Sequence, residues 1–209
     1  MNIKSWVLYA FLISSSIGFS QSETPVSDEN ENGNWDDDHY ANFTVGLYYP
    51  IAFGDNFSSK ALKHEPGFEI NGFVNLGESK LLLGLHYNQF SADVSQISLI
   101  GDYDRTRVTG IGPMLGYHLI RTKDWRIILS AGGGAVRYLN YKGTKQFSDS
   151  GTSFWVNPSI QYHVNKTLGA YFSTTYRYDR MQIEAPEEYR DFFKSAKYLN
   201  LSLGLSIVF

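Results

Sequence analysis

The last eleven residues of the chain alternate between two kinds of side chain. In LNLSLGLSIVF, every second position is bulky and apolar, and the positions between are small or polar except for Val208. Successive side chains of an extended chain point to opposite faces, so the pattern predicts a strand with one apolar face. A strand that crosses a bilayer needs about 9–11 residues, and this one is long enough. The apolar face comprises Leu199, Leu201, Leu203, Leu205, Ile207 and Phe209.

The same alternation recurs seven times earlier in the chain. The facing of the fourth segment is ambiguous, because glycines alternate there with larger residues. In the sixth segment Pro158 predicts a bulge or a local kink, since proline cannot donate to a sheet ladder. The glycine run at 132–134 predicts a bend or close packing rather than a phosphate loop, because no helix pattern follows it. The seven strands are predicted at 42–51, 67–76, 81–91, 106–120, 126–138, 152–164 and 168–180.

The connections between these segments alternate between long and short. Transmembrane barrels have short turns on the periplasmic side and longer loops outside, and an even strand number returns both termini to the periplasmic side. Pairing the first strand with the last leaves no unpaired edge in lipid. The sequence therefore predicts an all-β fold, an eight-stranded antiparallel up-and-down transmembrane β-barrel over residues 41–209. The outside loops would be 53–65, 93–105, 139–151 and 182–195, with a short helical turn at 186–193.

Composition narrows the class of protein further. Hydrophobic residues make up 43% of the chain, but no apolar stretch approaches the about 18 residues of a membrane-spanning helix. The 15 Tyr, 14 Phe and 4 Trp suit aromatic belts at two membrane interfaces. There is no cysteine, which excludes disulfides and thiolate chemistry. The net charge of −3, without a basic cluster, gives no indication of nucleic-acid binding.

The first 40 residues have a different character from the rest. Residues 1–20 predict a secretory signal peptide, with Lys4 before an apolar run and the small residues Gly18 and Ser20 before the cleavage point. Residues 21–40 predict a flexible acidic segment with little to bury. Part of this segment matches the opening of a calcium loop, but its twelfth position is His39 instead of a bidentate Glu, so a solvated linker is favoured. The matching residues are Asp28, Asn30, Asn32, Gly33 and Asp36.

The final amphipathic strand with its terminal Phe, together with the alternating loop lengths, resembles small eight-stranded outer-membrane β-barrel proteins of the OmpA/OmpX type and porin-like barrels. This resemblance implies a location in the cell outer membrane after export, with outer-membrane lipids around a monomeric barrel. It also implies that the barrel assembly machinery recognises the last strand. The residues of that assembly signal would be Leu201, Leu203, Leu205, Ile207 and Phe209.

Five charged or titratable residues are predicted to face the barrel interior and form a polar network. An eight-stranded barrel leaves an interior just wide enough for side chains, so carboxylate and guanidinium groups there should pair. One hypothesis is that a pair between Glu69 and an arginine gates a narrow conduit. The five residues are Glu69, His86, Arg107, His163 and Arg177.

We expect no catalytic, metal or cofactor site. Outer-membrane lipid A deacylases carry a His and a Ser two residues apart on one strand face, and His86, His118 and His163 are not followed by such a Ser. No two histidines lie at i, i+2 or i+4, which disfavours a metal site. A lipid-modifying enzyme therefore remains the least favoured alternative, with a triad from distant strands as its route.

The favoured function is non-enzymatic, a structural or surface-interaction role through the outside loops. A narrow pore for small or apolar solutes is the main alternative. Two loops contain more apolar residues than a solvated loop needs, which predicts either that the strands continue above the membrane or that the loops contact a partner, with strand extension favoured. These residues are Val94, Ile97, Leu99, Ile100, Tyr189, Phe192 and Phe193.

Overall fold

All eight predicted strands are present in the computed structural model, which describes residues 40–77, 79–183 and 185–209. The proposed signal peptide, the acidic segment and the calcium-like motif lie outside the described residues, except for Tyr40. Three short helices, α1 Phe57–Ala61, α2 Ile97–Ile100 and α3 Arg190–Lys194, and a 3-10 turn at Glu187–Tyr189 lie between strands. The strands are β1 Ala41–Phe53, β2 Leu62–His64, β3 Gly67–Asn75, β4 Leu81–Val94, β5 Arg105–Arg121, β6 Trp125–Lys142, β7 Lys145–His163, β8 Leu168–Met181 and β9 Ser195–Val208.

The sheet closes on itself because β1 pairs with both β3 and β9. Val45 lies opposite Ile70 on one side and opposite Leu205 on the other, and β4 pairs with β5 to complete the ring. The three-residue strand β2 pairs only with the far end of β4, beyond β3, so eight positions surround the interior. All pairs are antiparallel. The predicted eight-stranded up-and-down barrel is confirmed.

The alternation in sequence corresponds to an outer and an inner face. In β9, Leu203 is 66% exposed on the outside, whereas Ser202 is 2% exposed on the inside. The ambiguous facing of β5 is resolved, because Ile111 and Leu115 point outward. Its glycines therefore face inward, where they leave room for side chains of other strands. Among the described residues, no helix is long and apolar enough to cross a bilayer.

Aromatic side chains form two belts on the outer face. At the end where β1 begins and β9 ends, the ring centres of Phe43 and Phe209 lie 6.1 Å apart, and those of Trp125 and Tyr162 lie 4.8 Å apart. Near the opposite ends, Phe53 lies 6.1 Å from Tyr176 and Phe68 lies 5.7 Å from Tyr87. The ten-residue rise from Phe43 to Phe53 spans about 33 Å along the strand, or about 25 Å along the axis at a tilt of about 40°. That height matches the apolar band of a transmembrane barrel.

The two ends of the barrel differ in the length of their connections. At the end where β1 begins and β9 ends, here called the turn end, strands are joined by short turns such as 122–124 and 164–167. At the other end, here called the loop end, the connections between β1 and β3, between β4 and β5, and between β8 and β9 contain the short helices. The helical turn predicted at 186–193 is confirmed by the 3-10 turn and α3.

The prediction of a third long loop at 139–151 is wrong. Strands β6 and β7 continue through this region and meet at a two-residue turn of Gly143 and Thr144, with Gly143 at φ 55°. The ladder is unbroken from the pair Val136–Gly151 to the pair Lys142–Lys145. Polar residues such as Lys, Gln and Ser occupy β7 here, and this composition is typical of a loop. The segment is nevertheless a strand, because it pairs with β6. The hairpin rises beyond the upper aromatic belt.

Two local predictions have different outcomes. Of the bulge or local kink predicted at Pro158, the bulge is absent, because Pro158 stays opposite Leu129 and the β7–β8 pairing resumes in unchanged register at Ser159. Two residue pairs between β7 and β8 are missing at this point. A shift of register occurs instead between β5 and β6, at His118 and Ile120. Close packing at the glycine run is confirmed, since a Cβ on Gly132 would lie 2.8 Å from side-chain atoms of both Met114 and Trp155.

The apolar loop residues are used in two ways. Val94 ends strand β4, as expected for strand extension. Ile100, Phe192 and Phe193 instead pack against the buried cluster at the loop end of the interior. Ile97, Leu99 and Tyr189 remain exposed.

Candidate functional site

The centre of the interior polar network is an ion pair on β8. Arg177 donates from Nε and Nη2 to the two carboxylate oxygens of Asp179, at 2.7 and 2.8 Å, and both side chains are almost fully buried. The same carboxylate accepts from Ser153 Oγ at 2.6 Å and from the Tyr138 hydroxyl at 2.7 Å. Four donors thus fill the acceptor sites of Asp179, which fits an ionised carboxylate.

A chain of hydrogen bonds runs from Asp179 to the loop end. Tyr138 donates its only proton to Asp179, so its oxygen accepts from the Tyr198 hydroxyl at 2.8 Å. Tyr198 in turn accepts from Ser58 Oγ at 2.7 Å, and Ser58 accepts from His64 Nε2 at 3.0 Å. Because each hydroxyl has one proton, the ionised acceptor at one end fixes the direction of every bond. His64 is therefore assigned as the tautomer protonated at Nε2.

A second chain runs from Arg177 toward the turn end. Arg177 Nη1 donates to Asn88 Oδ1 at 2.8 Å, so the amide nitrogen of Asn88 donates to His86 Nε2 at 2.6 Å. His86 Nδ1 then donates to Asn71 Oδ1 at 2.6 Å, and Asn71 donates to Thr44 Oγ1 at 3.0 Å. These contacts assign neutral His86 to the Nδ1-protonated tautomer. The two chains together connect ten side chains from Thr44 to His64.

Glu69 does not pair with an arginine. Its carboxylate is fully buried and accepts from the Tyr171 hydroxyl at 3.2 Å, while the guanidinium of Arg177 is committed to Asp179 and Asn88. The hypothesis of a Glu69–Arg gate is therefore wrong for this structure. The physical reason is that Asp179 lies two residues from Arg177 on the same inward face and accepts two of its hydrogen bonds.

His163 belongs to a separate group at the turn end. Its Nε2 lies 3.3 Å from Ser206 Oγ, which also contacts Gln161 Oε1 at 3.0 Å. Asn42 donates to the same Gln161 oxygen at 2.8 Å. All four side chains are buried, and they link β1, β7 and β9 below the main network.

Arg107 lies on the outer face, so its predicted inward position is wrong. The residue is exposed, and its guanidinium carbon lies 5.8 Å from the centre of the Tyr141 ring. The error follows from the glycine-rich segment, whose facing the sequence left ambiguous. Arg107 shares the outward set with Ile111 and Leu115, above the apolar band.

The interior is filled at the loop end by apolar and aromatic side chains. Asn56 precedes helix α1, and its side chain caps the helix by accepting from the backbone N–H groups of Ser58 and Ser59. The cap directs Phe57 into the barrel mouth, 5.7 Å from the Tyr138 ring. The buried cluster around it comprises Tyr48, Phe57, Leu62, Phe90, Ala92, Val108, Val136, Tyr138, Met181, Ala196 and Tyr198.

Little space remains between these groups and the turn end. A second buried apolar cluster consists of Phe73, Leu82, Met114, Ile128 and Trp155, which lie on β3, β4, β5, β6 and β7. The small polar cavity beside Asn71 and Ser130 measures about 10 Å³. That volume holds about one water molecule, which is too small for a conduit of solute size.

The contact between Ser58 and His64 is not arranged as a nucleophile and base. His64 donates to Ser58, and Ser58 donates onward to Tyr198, whereas a general base would have to accept the serine proton. Ser58 is also fully buried. In the part of the chain that the structure describes, no group of three or more His, Cys, Asp or Glu could hold a metal ion.

Eight of the ten side chains in the two chains are not among the predicted interior residues, which include only His86 and Arg177 of this network. Asp179 could have been found, because it shares the inward set of β8 with Arg177. The predicted last strand begins at Leu199 and so excludes Tyr198, and Ser58 and His64 lie in a connection whose sequence has no periodic pattern. Tyr138 and Asn88 occupy inward positions of the alternating pattern, but nothing in the sequence indicates which distant residues they contact.

Comparison with solved structures identifies the fold. Neisserial surface protein A (NspA) is similar at a TM-score of 0.58 and 15% identity, over 81% of this chain and 97% of that one. The chain has the small outer-membrane β-barrel fold. The outer membrane protein OprG from Pseudomonas aeruginosa matches this barrel at a TM-score of 0.53 and 10% identity, over 82% and 97% of the two chains.

Ail, the attachment invasion locus protein of Yersinia pestis, matches the barrel at a TM-score of 0.52 and 13% identity. The match covers 82% of this chain and 99% of Ail. No protein-family model and no curated protein matches the chain.

Proposed function

We propose that this protein is a non-enzymatic outer-membrane barrel with a closed interior, which acts through the surface at its loop end. The filled interior carries this proposal. The ion pair of Arg177 and Asp179, the two hydrogen-bonded chains and Phe57 of α1 occupy the space that a pore would need. A rigid, plugged barrel is a scaffold, and binding residues on such scaffolds concentrate in loops.

The outer face and the fold support a location in the outer membrane. An apolar band about 25 Å high between aromatic belts suits a bilayer. Residues 1–20 would direct export, the turn end would face the periplasm, and the last strand would be read by the assembly machinery through Leu201, Leu203, Leu205, Ile207 and Phe209. The barrel would be monomeric. Ail is named as an attachment invasion locus protein, which favours attachment as the role of the loop end.

Single-channel recording tests the closed interior. The mature chain, residues 21–209, is refolded in detergent. A band on an SDS gel that migrates faster before boiling than after boiling shows that the barrel has formed. We expect this protein to give no discrete openings in a planar bilayer. The variant Phe57→Ala/Tyr198→Ala removes two rings from the mouth and should give openings or a higher leak. Discrete conductance of the unaltered protein would overturn the closed-barrel proposal and favour a narrow pore.

A shortened hairpin tests the role of the loop end. Replacing residues 141–146 by Asn-Gly joins the paired residues Asn140 and Phe147 through a two-residue turn and leaves the barrel intact. Cells that display this variant should attach less to a panel of protein-coated and glycan-coated surfaces than cells that display the unaltered barrel. The control replaces Lys166 by Ala in a turn at the other end. Equal attachment of all three would contradict a role for the hairpin.

A further inference from the structure

A cavity of about 240 Å³ lies at the loop end, between α1, the β6–β7 hairpin and the connection from β8 to β9. It is distinct from the sealed interior, because Tyr138 forms the floor of the cavity and faces Asp179 below. Phe147 is 49% exposed at its rim, so the space is reached from outside the barrel. The aromatic residues that line it are Phe57, Tyr103, Tyr138, Phe147 and Phe193.

Four of the aromatic rings form two packed pairs in the lining. Tyr103 and Phe147 pack edge to face with centroids 5.5 Å apart, on the side of the hairpin. Phe57 stacks on Phe193 at 5.9 Å, on the side of the last loop. The face of an aromatic ring carries partial negative charge, so a ring that turns its face toward such a space attracts a cation.

One carboxylate completes the lining. Asp149 is half-buried in the wall and accepts a hydrogen bond from Asn140 Nδ2 at 2.8 Å. In residues 40–77, 79–183 and 185–209 it has no ion-pair partner, and the nearby Lys142 is paired with Asp102. Asp149 lies in the hairpin above the apolar band, where burial raises the pKa of its carboxyl group. Asp149 thus offers a carboxyl group without a cationic partner among these residues, and a cation bound beside it would favour its ionised form.

We propose that this cavity binds an alkylammonium group, held by the aromatic rings and by the carboxylate of Asp149. The volume is below the about 300–1,000 Å³ of sites for drug-sized ligands, so it fits a small head rather than a whole lipid. Such a head is found both on free organic amines and on zwitterionic lipids. The inference rests on the proposed function in one respect, since an outward-facing loop end is what exposes the cavity to these ligands.

Choline and its uncharged isostere 3,3-dimethylbutan-1-ol are the probes. Saturation-transfer NMR on the full mature chain, refolded in a maltoside detergent, gives the Kd of each. We expect choline to bind at least about tenfold more tightly than the alcohol, because only the cation gains from the rings and the carboxylate. Equal binding of the two probes, or no binding of choline, would overturn the proposal.

Three variants test the residues. Asp149→Asn keeps the shape of the side chain and should weaken choline binding about tenfold while leaving the weak binding of the alcohol unchanged. Phe147→Leu at the exposed rim should also weaken choline binding. Glu188→Gln is the matched control, because it removes one charge from an exposed position in the neighbouring loop. Full affinity in Asp149→Asn, or the same loss in Glu188→Gln, would overturn the assignment of the site.

A third probe distinguishes the two possible sources of the ammonium group, free amines and lipid head groups. Dihexanoylphosphatidylcholine, used below its micelle concentration, competes with choline if the site accepts lipid head groups and fails to compete if it selects free amines. Both results support an alkylammonium site. The proposed function has its own tests, since discrete channel openings or unchanged attachment would overturn it. If the protein both bound choline and opened channels, the alkylammonium site would remain supported and the barrel would be a pore.

Discussion

Arg177 and Asp179 stand two residues apart on β8 and form a bidentate ion pair inside the barrel, at 2.7 and 2.8 Å. Positions i and i+2 of a strand point to the same face, so the two charges enter the interior together. The guanidinium also lies 5.5 Å from the Tyr198 ring and 6.0 Å from the Phe90 ring. Neither charge is compensated by solvent, which makes each depend on the other.

Removal of the negative partner should strongly destabilise the barrel. We expect Asp179→Asn to lower the free energy of unfolding by about 3–5 kcal/mol, because it leaves the guanidinium of Arg177 buried without a counter-charge. Urea unfolding in lipid vesicles, followed by tryptophan fluorescence, measures the change. The matched control is Asp93→Asn, which breaks an exposed contact to Arg105 at 4.0 Å and should change stability by less than about 1 kcal/mol.

The double variant Arg177→Met/Asp179→Leu gives a second check on this pair. It should be more stable than Asp179→Asn, because it removes both charges and leaves none uncompensated. Equal losses in Asp179→Asn and Asp93→Asn would show that the interior pair is solvated.

The glycine run of β6 provides a test of packing. Gly132 faces inward, where a Cβ would lie 2.8 Å from atoms of Met114 and Trp155, so we expect Gly132→Ala to destabilise the barrel by about 1–3 kcal/mol. Gly133→Ala is the control, because its Cβ would meet the Phe154 ring at 3.1 Å on the outer face, where the ring can move into lipid. The difference is measured on SDS gels as the temperature at which half of each variant has lost the fast-migrating folded band. Two equal midpoints would contradict close packing at Gly132.

The outer architecture could be predicted because it depends on a local period. Alternate positions such as Leu203 and Ser202 must face opposite sides of a strand whatever the rest of the chain does. The interior network depends on which residues of distant strands share one level, and this is set by the stagger of the whole barrel. Tyr138 and Tyr198 meet across 60 residues. No local pattern in the sequence encodes that contact.

The two errors in strand assignment have a related cause. The polar tip of the β6–β7 hairpin read as a loop, although a ladder with a partner strand tolerates polar residues on both faces above the membrane. In β5, the inward glycines removed the contrast between the faces, so Arg107 was assigned to the wrong one. Sequence alternation is informative where one face meets lipid and the other is packed, and it fails outside that band.

A charge on the outer face tests the position of the bilayer. Leu203 lies at mid-height, paired with Leu47 and Phe172, so Leu203→Arg should destabilise the barrel by about 2–4 kcal/mol in a lipid bilayer. Tyr189→Arg is the control, since Tyr189 is exposed on the last loop and its replacement should change stability little. Unfolding of both variants in vesicles measures the difference. Similar small effects would place the middle of the barrel outside the bilayer.

The docking of the first loop should depend on pH through His64. Burial against Tyr198 and Phe90 lowers the pKa of His64 to about 4, from about 6.5 for an exposed imidazole. The undocked loop then binds a proton more readily than the docked one. Docking is therefore fully stable above about pH 6.5, weakens as the pH falls toward about 4, and changes little below that. Hydrogen exchange of residues 54–66, corrected for intrinsic rates, measures the docking equilibrium.

The variant His64→Gln isolates this effect. Its amide nitrogen can still donate to Ser58 Oγ, but it has no charge to gain, so exchange in this loop should become independent of pH between 4 and about 6.5. The hydrogen bond from Nε2 survives protonation, since the neutral imidazole already donates it. The destabilisation therefore arises from burying the new charge and not from a lost contact. A pH dependence that persists in His64→Gln would assign the effect to another group at the mouth.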